Sequence, residues 1–194
     1  MRLSERFRDA LSYAAALHAD QQRKASGEPY LTHLLAVSAI VLEYGGSEDE
    51  AIAALLHDAV EDQGGAATAL EIRRRFGPAV AAIVEGCTDT AETPKPPWQA
   101  RKEAFIASLR TAPHSVRLVS AADKLHNARS IVREYRRQGD SLWSHFRGGR
   151  DGTLWYYRAI VETLRQAGDH PLIDELERTV AELDRLIALQ NTSR

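Results

Sequence analysis

At 194 residues, with 44% apolar and 27% charged side chains, the chain is long enough for one globular domain with a full core. A net charge of −2 argues against bulk nucleic-acid affinity, which needs a large basic excess. One cysteine, Cys87, excludes an intramolecular disulfide and a Cys-rich zinc site and reads as a small buried hydrophobe. The opening MRLSERFRDA is charged where a signal peptide needs an apolar core, and no apolar run approaches the roughly 18 residues of a membrane span. The expected setting is cytoplasmic and reducing, with neither a membrane nor a nucleic acid as partner.

In chain order, Leu3 to Ala19 is a first amphipathic helix, followed by the polar break DQQRKASGEPY. Leu31 to Tyr44 is a second, closed by Gly45-Gly46. Ser47 and Glu50 fit a capping box at the head of a third, which runs through AIAALLHDAVED to Gly64-Gly65. Thr68 to Phe76 and Pro78 to Gly86 follow as shorter helices, the second with proline in its first turn. TDTAETPKPPWQ, with three prolines, reads as a surface loop. Helical periodicity resumes at Ala100 to Arg110 and Ser115 to Tyr135, breaks over RRQGDSLWSHFRGGRDG, and returns at Leu154 to Gln166 and Pro171 to Leu189. NTSR is a polar tail expected to fray. With no repeat, linker or alternating strand pattern, residues 1–194 read as one all-α bundle of about eight to ten helices. The last two helices carry apolar area that could serve the core or a homo-oligomeric contact.

The chemistry concentrates in ALLHDAVED. On a helix, His57, Asp58, Glu61 and Asp62 fall within an arc of about 140°, beside the strongly apolar AIAALL. Burying such groups without compensation is costly, and a divalent cation supplies compensation. His33, in the apolar YLTHLLAV, and Asp123, in VSAADKLHN, complete a set of two imidazoles and two carboxylates. A mixed N/O shell of this kind suits a Mn²⁺, Fe²⁺, Zn²⁺ or Mg²⁺ ion that holds phosphate and activates water. Glu61 and Asp62, one turn beyond, are spaced to align that water or take its proton. Arg23 and Lys24, before PYLTH, would supply countercharge to a phosphorylated ligand. His18, His114, His126, His145 and His170 lie in polar or amphipathic settings and read as surface residues.

RKASGEPYLTHLLAV, ALLHDAVED and AADKLHNAR together resemble the hydrolase domain of the RelA/SpoT-type proteins, especially the small stand-alone alarmone hydrolases, a branch of the HD-domain metal-dependent phosphohydrolases. The likeness covers about residues 8–165. It implies removal of the 3′-pyrophosphate of (p)ppGpp, giving GDP or GTP, with Mn²⁺ as the ion. It implies His33, His57, Asp58 and Asp123 as metal ligands and Glu61 and Asp62 as the water-directing pair. It also implies Arg23, Lys24 and Lys95 at the phosphates and Asn127 at the sugar. The resemblance further implies an arginine and an aromatic of the substrate pocket near RGGRDGTLWYYRA, Arg150 and Tyr156 in one register, with Arg147, Trp155 and Tyr157 as other registers. A phosphatase of NADPH or a deoxynucleotide would keep the same metal site. A non-catalytic nucleotide sensor would not need the Glu61-Asp62 pair.

Overall fold

The computed structural model describes residues 2–90 and 94–192, so residues 91–93 of the proline-rich loop and the last two of the polar tail lie outside it. The described residues form α1 (Glu5–Leu17), α2 (Leu31–Glu43), α3 (Glu48–Leu56), α4 (Ala59–Asp62), α5 (Gly65–Cys87), α6 (Trp98–Thr111) and α7 (His114–Gln138). A 3₁₀ turn (Gly139–His145), α8 (Gly149–Gln166) and α9 (Pro171–Thr192) complete them. Among the described residues no strand forms; extended pairing stops at one isolated bridge between Gln22 and Pro29.

The sequence signals explain most of the boundaries. Ser4 caps α1 by accepting the Arg6 N–H at 3.2 Å. The Ser47 capping box is complete: the Ser47 hydroxyl accepts the Glu50 N–H, and Glu50 Oε2 accepts the Ser47 N–H at 2.6 Å. The two short helices expected around Gly77 are there, joined at a kink where Gly77 takes φ 90° and Pro78 restarts the helix. That φ is open to glycine at little cost and closed to most side chains.

Three expectations need correction. The third helix is not continuous, because it breaks at His57 and Asp58 into α3 and α4. His57 Nδ1 lies 2.8 Å from the Ala54 carbonyl, the acceptor an unbroken helix would offer to the Asp58 N–H. The stretch read as irregular over 136–152 is largely helical, with α7 reaching Gln138 and α8 starting at Gly149, five residues before Leu154. The tail expected to fray is helical as far as Thr192, since α9 is anchored through Leu172, Leu176, Val180, Leu183 and Ile187, all buried.

The core centres on α3. Ala51 through Leu56 are all 0% exposed, and α3 packs against α1, α2, α5 and α7. A helix apolar on every side has to be surrounded in this way. Its C-terminal end therefore delivers His57 and Asp58 from the most buried part of the molecule to the floor of a cleft.

A candidate metal centre in a basic cleft

Four donor groups converge at the end of α3. His33 Nε2 lies 3.2 Å from Asp123 Oδ1 and 3.6 Å from Asp58 Oδ2. His57 Nε2 lies 3.0 Å from Asp58 Oδ2 and 3.5 Å from Asp123 Oδ1. Ligands about 2.1 Å from one first-row divalent ion are separated by about 3.0 Å at right angles and about 3.4 Å at tetrahedral angles. Both Nε2 atoms are buried, and neither has a hydrogen bond of proper geometry. Two bare imidazole nitrogens turned toward two carboxylates suit a cation between them, so the residues present fit a divalent ion.

The surroundings orient these donors. The Ala54 contact on Nδ1 directs His57 Nε2 into the centre. His33 Nδ1 shares a 2.8 Å hydrogen bond with His126 Nδ1. Burial, then His33 and Arg23, pushes His126 down to about 4, so its ring is neutral at physiological pH. The Tyr30 hydroxyl donates to Asp58 Oδ2 at 2.6 Å, and burial followed by Asp58 raises its pKa strongly. Lys124 Nζ donates to Asp123 Oδ2 at 2.6 Å, while Oδ1, which also accepts from Asn127, faces the two imidazoles. In the metal-free protein burial opposes charge on His57 and Asp58, but their mutual attraction prevails: His57 is held well above its ordinary value and Asp58 well below.

Beside this centre opens a cleft of about 510 Å³, within the usual range for a small-molecule site. Asp58, Glu61 and Asp62 line its acidic end, while Arg23, Lys24, Lys95, Arg101, Lys102 and Lys124 bring positive charge. Lys95 Nζ reaches Glu61 Oε1 at 2.9 Å. Asp89 gathers Arg101 and Lys102. Trp98 forms part of the wall, seated against Gly148 and Gly152, where any Cβ would press into its ring.

Residues 10–154 match the family described as HD domain. The chain belongs to the HD-domain family. Its relatives include the guanosine-3′,5′-bis(diphosphate) 3′-pyrophosphohydrolase MESH1 of Drosophila melanogaster, 33% identical over 165 residues, which are 84% of this chain and 86% of the fly protein. The Danio rerio protein of the same name is 36% identical over 128 residues, 64% of this chain and 68% of its own. Among solved structures, a metazoan orthologue of SpoT that hydrolyses ppGpp superposes with a TM-score of 0.79 at 28% identity, covering 94% of this chain and 97% of that one.

In this HD-domain chain the structure brings His33, His57, Asp58 and Asp123 together, and sets Glu61, Asp62, Arg23, Lys24, Lys95, Asn127 and Tyr156 around the cleft. Asn127 bridges two of them, accepting from Arg23 at 2.8 Å and donating to Asp123. Tyr156 is buried, with Lys102 Nζ 4.9 Å and Lys124 Nζ 5.7 Å from its ring centroid. Arg150 does not join them: its guanidinium pairs with neighbouring Asp151 at 2.8 Å on the exposed start of α8, and Arg147 lines the cleft instead.

Two histidines read as surface residues lie inward. His18 is 2% exposed because its ring stacks on Tyr30, and His126 is half-buried against His33. Cys87 is half-buried, its thiol facing Val116 and Ser120 and pushed up to about 11 by burial. Tyr30, Lys102 and Arg101 escaped the sequence reading. Tyr30 could have been found from its place three residues before His33, which puts both on one face at the start of α2.

Proposed function

We propose that this chain hydrolyses ppGpp and pppGpp at the 3′ position, releasing pyrophosphate and leaving GDP or GTP. The carrying observation is a four-residue donor cluster opening directly onto a cation-lined cleft, in a chain similar along most of its length to MESH1 proteins named for this reaction. Residues 1–194 are read as one hydrolase domain working in the cytoplasm; among the described residues no helix is long and apolar enough to cross a membrane.

In this reading His33, His57, Asp58 and Asp123 hold the ion, with Mn²⁺ the preferred one. Such an ion, when bound, lowers the pKa of a water from 15.7 toward roughly 7–9 and offsets charge on phosphoryl oxygens. Glu61 and Asp62 orient the attacking water and take its proton. Arg23, Lys24 and Lys95 neutralise the pyrophosphate, and Arg147, which lines the cleft, serves as the pocket arginine. Lys95 is paired with Glu61 before substrate arrives, so a bound phosphate would draw the lysine away and free the carboxylate. Asn127 holds the sugar, and Tyr156 with Trp98 closes the wall on the base side.

The test is pyrophosphate release from ppGpp by the purified protein with Mn²⁺, beside Asp58→Ala and a panel containing NADPH and dGTP. Release from ppGpp that disappears in the variant is expected. Turnover of NADPH or dGTP alone would overturn the substrate assignment. Ion and nucleotide binding without any turnover would overturn the enzyme assignment in favour of a sensor.

A further inference from the structure

Asp62 is held by a network that reaches back to His18, the residue that closes α1. Gln21 Nε2 donates to Asp62 Oδ2 at 2.8 Å. The other end of the same amide, Oε1, accepts from Gln63 Nε2 at 2.7 Å and lies 2.6 Å from His18 Nδ1. These contacts settle which way the amide points. Reversed, its oxygen would meet a carboxylate and its NH₂ would meet the NH₂ of Gln63. An oxygen has no proton to give, so His18 donates from Nδ1.

That leaves His18 Nε2, which is buried with no hydrogen-bond partner among the described residues. The imidazole is 2% exposed and lies flat against Tyr30, with centroids 5.3 Å apart and 19° between planes. Burying one unsatisfied ring nitrogen costs free energy, and the other nitrogen spends its only proton on Gln21. The ring therefore serves Gln21 at the expense of its own hydrogen bonding, while its stacking partner Tyr30 holds Asp58.

We infer that Gln21, fixed by His18 and Gln63, is a positioning residue for Asp62, and that His18 acts through it by setting the direction of the amide. This rests on the reading that Asp62 directs the attacking water. Gln21 holds one carboxylate oxygen and so turns the other into the cleft; without it the side chain of Asp62, which is exposed, samples several rotamers.

The experiment uses the full chain and four variants, Asp62→Asn among them. Gln21→Met keeps length and loses all three contacts. His18→Leu removes the donor. His18→Asn puts an amide N–H near the place of Nδ1. With ppGpp and Mn²⁺, Gln21→Met and His18→Leu are expected to lose about 10-fold in kcat with KM changed less than about twofold, and His18→Asn to recover most of the loss. In the metal-free protein the Gln21 side-chain amide signals of an ¹⁵N spectrum should shift in Asp62→Asn and in His18→Leu but hold in His18→Asn. Signals unmoved by Asp62→Asn, or an unchanged kcat in Gln21→Met, would overturn the inference. Signals that respond as expected in a protein that does not turn over ppGpp would support the positioning geometry and overturn the hydrolase reading.

Discussion

His57 carries two tasks with one ring. Nδ1 sits on the Ala54 carbonyl and Nε2 faces Asp58 and Asp123, so the contact at the helix break also aims the second nitrogen into the donor cluster. Asp58 is similarly tied by Tyr30, and Asp123 by Lys124 and Asn127. Such outer contacts are commonly worth 10–100-fold in metal affinity. Tyr30→Phe, which removes only the hydroxyl, should weaken Mn²⁺ binding by roughly 10-fold, whereas Asp58→Ala should weaken it by more than about 100-fold; isothermal titration separates the two. The cleft wall has its own sensitive point. A methyl on Gly148 would stand 2.7 Å from Trp98, too close for either to stay, so Gly148→Ala should raise KM for ppGpp roughly 3- to 10-fold with kcat little changed, measured by steady-state kinetics. The donor cluster was legible because polar groups in apolar helices demand compensation, and the structure brings His33, His57, Asp58 and Asp123 together. Spacing left Arg147 and Arg150 as alternatives, and it is packing that separates them: Arg150 pairs with its neighbour Asp151, while Arg147 lines the cleft. His18 was misread because one stacking partner, Tyr30, lies far enough along the chain to leave no periodic signal.

Among the elements, α2, α5 and α9 follow the apolar spacing and punctuation of the sequence closely. The break between α3 and α4 does not, since a side chain bonding to the carbonyl three residues back leaves the apolar pattern intact. The start of α8 was missed for a related reason: Gly148, Gly149 and Gly152 suggest a loop, yet Gly148 and Gly152 are small because Trp98 lies on them. The capping box of α3 was legible in full and makes a pH prediction. Glu50 is buried, which opposes its charge, but hydrogen bonds from the Ser47 N–H and from the Ser115 and Ser47 side chains outweigh this and hold its pKa below the ordinary 4.5. A depressed carboxyl pKa gives stability that is complete above the unfolded value and is lost as pH falls through the folded one. Thermal melts of the wild type should therefore drop below about pH 4.5. Glu50→Gln should melt lower at neutral pH, with a shallower fall over the same acid range.

Across the whole molecule, the donors come from α2, the α3–α4 junction and α7, so an ion at the centre would tie together three elements that are far apart in sequence. Binding to the folded state alone stabilises by about 2.7 kcal/mol at a free ion concentration one hundred times Kd. For a chain of this length each kcal/mol moves Tm by roughly 2–4 °C. Saturating Mn²⁺ should raise Tm by about 5–11 °C over the chelated protein, and Asp58→Ala should abolish the shift. An equal shift in wild type and variant would place the ion elsewhere. The bundle and its centre were readable from pattern and spacing. The cleft was not, because it is assembled from Arg23, Lys95, Lys102, Asn127 and Arg147, whose proximity depends on how α1, α6, α7 and α8 pack.

The most direct measurement follows ppGpp and its products through complete turnover by protein loaded with one equivalent of Mn²⁺, beside Asp58→Ala under the same conditions. One GDP and one pyrophosphate for each ppGpp consumed, with no orthophosphate, and no products from the variant, is the expected result. Stepwise release of orthophosphate, or undiminished turnover by Asp58→Ala, would contradict a 3′-pyrophosphohydrolase built on these four ligands.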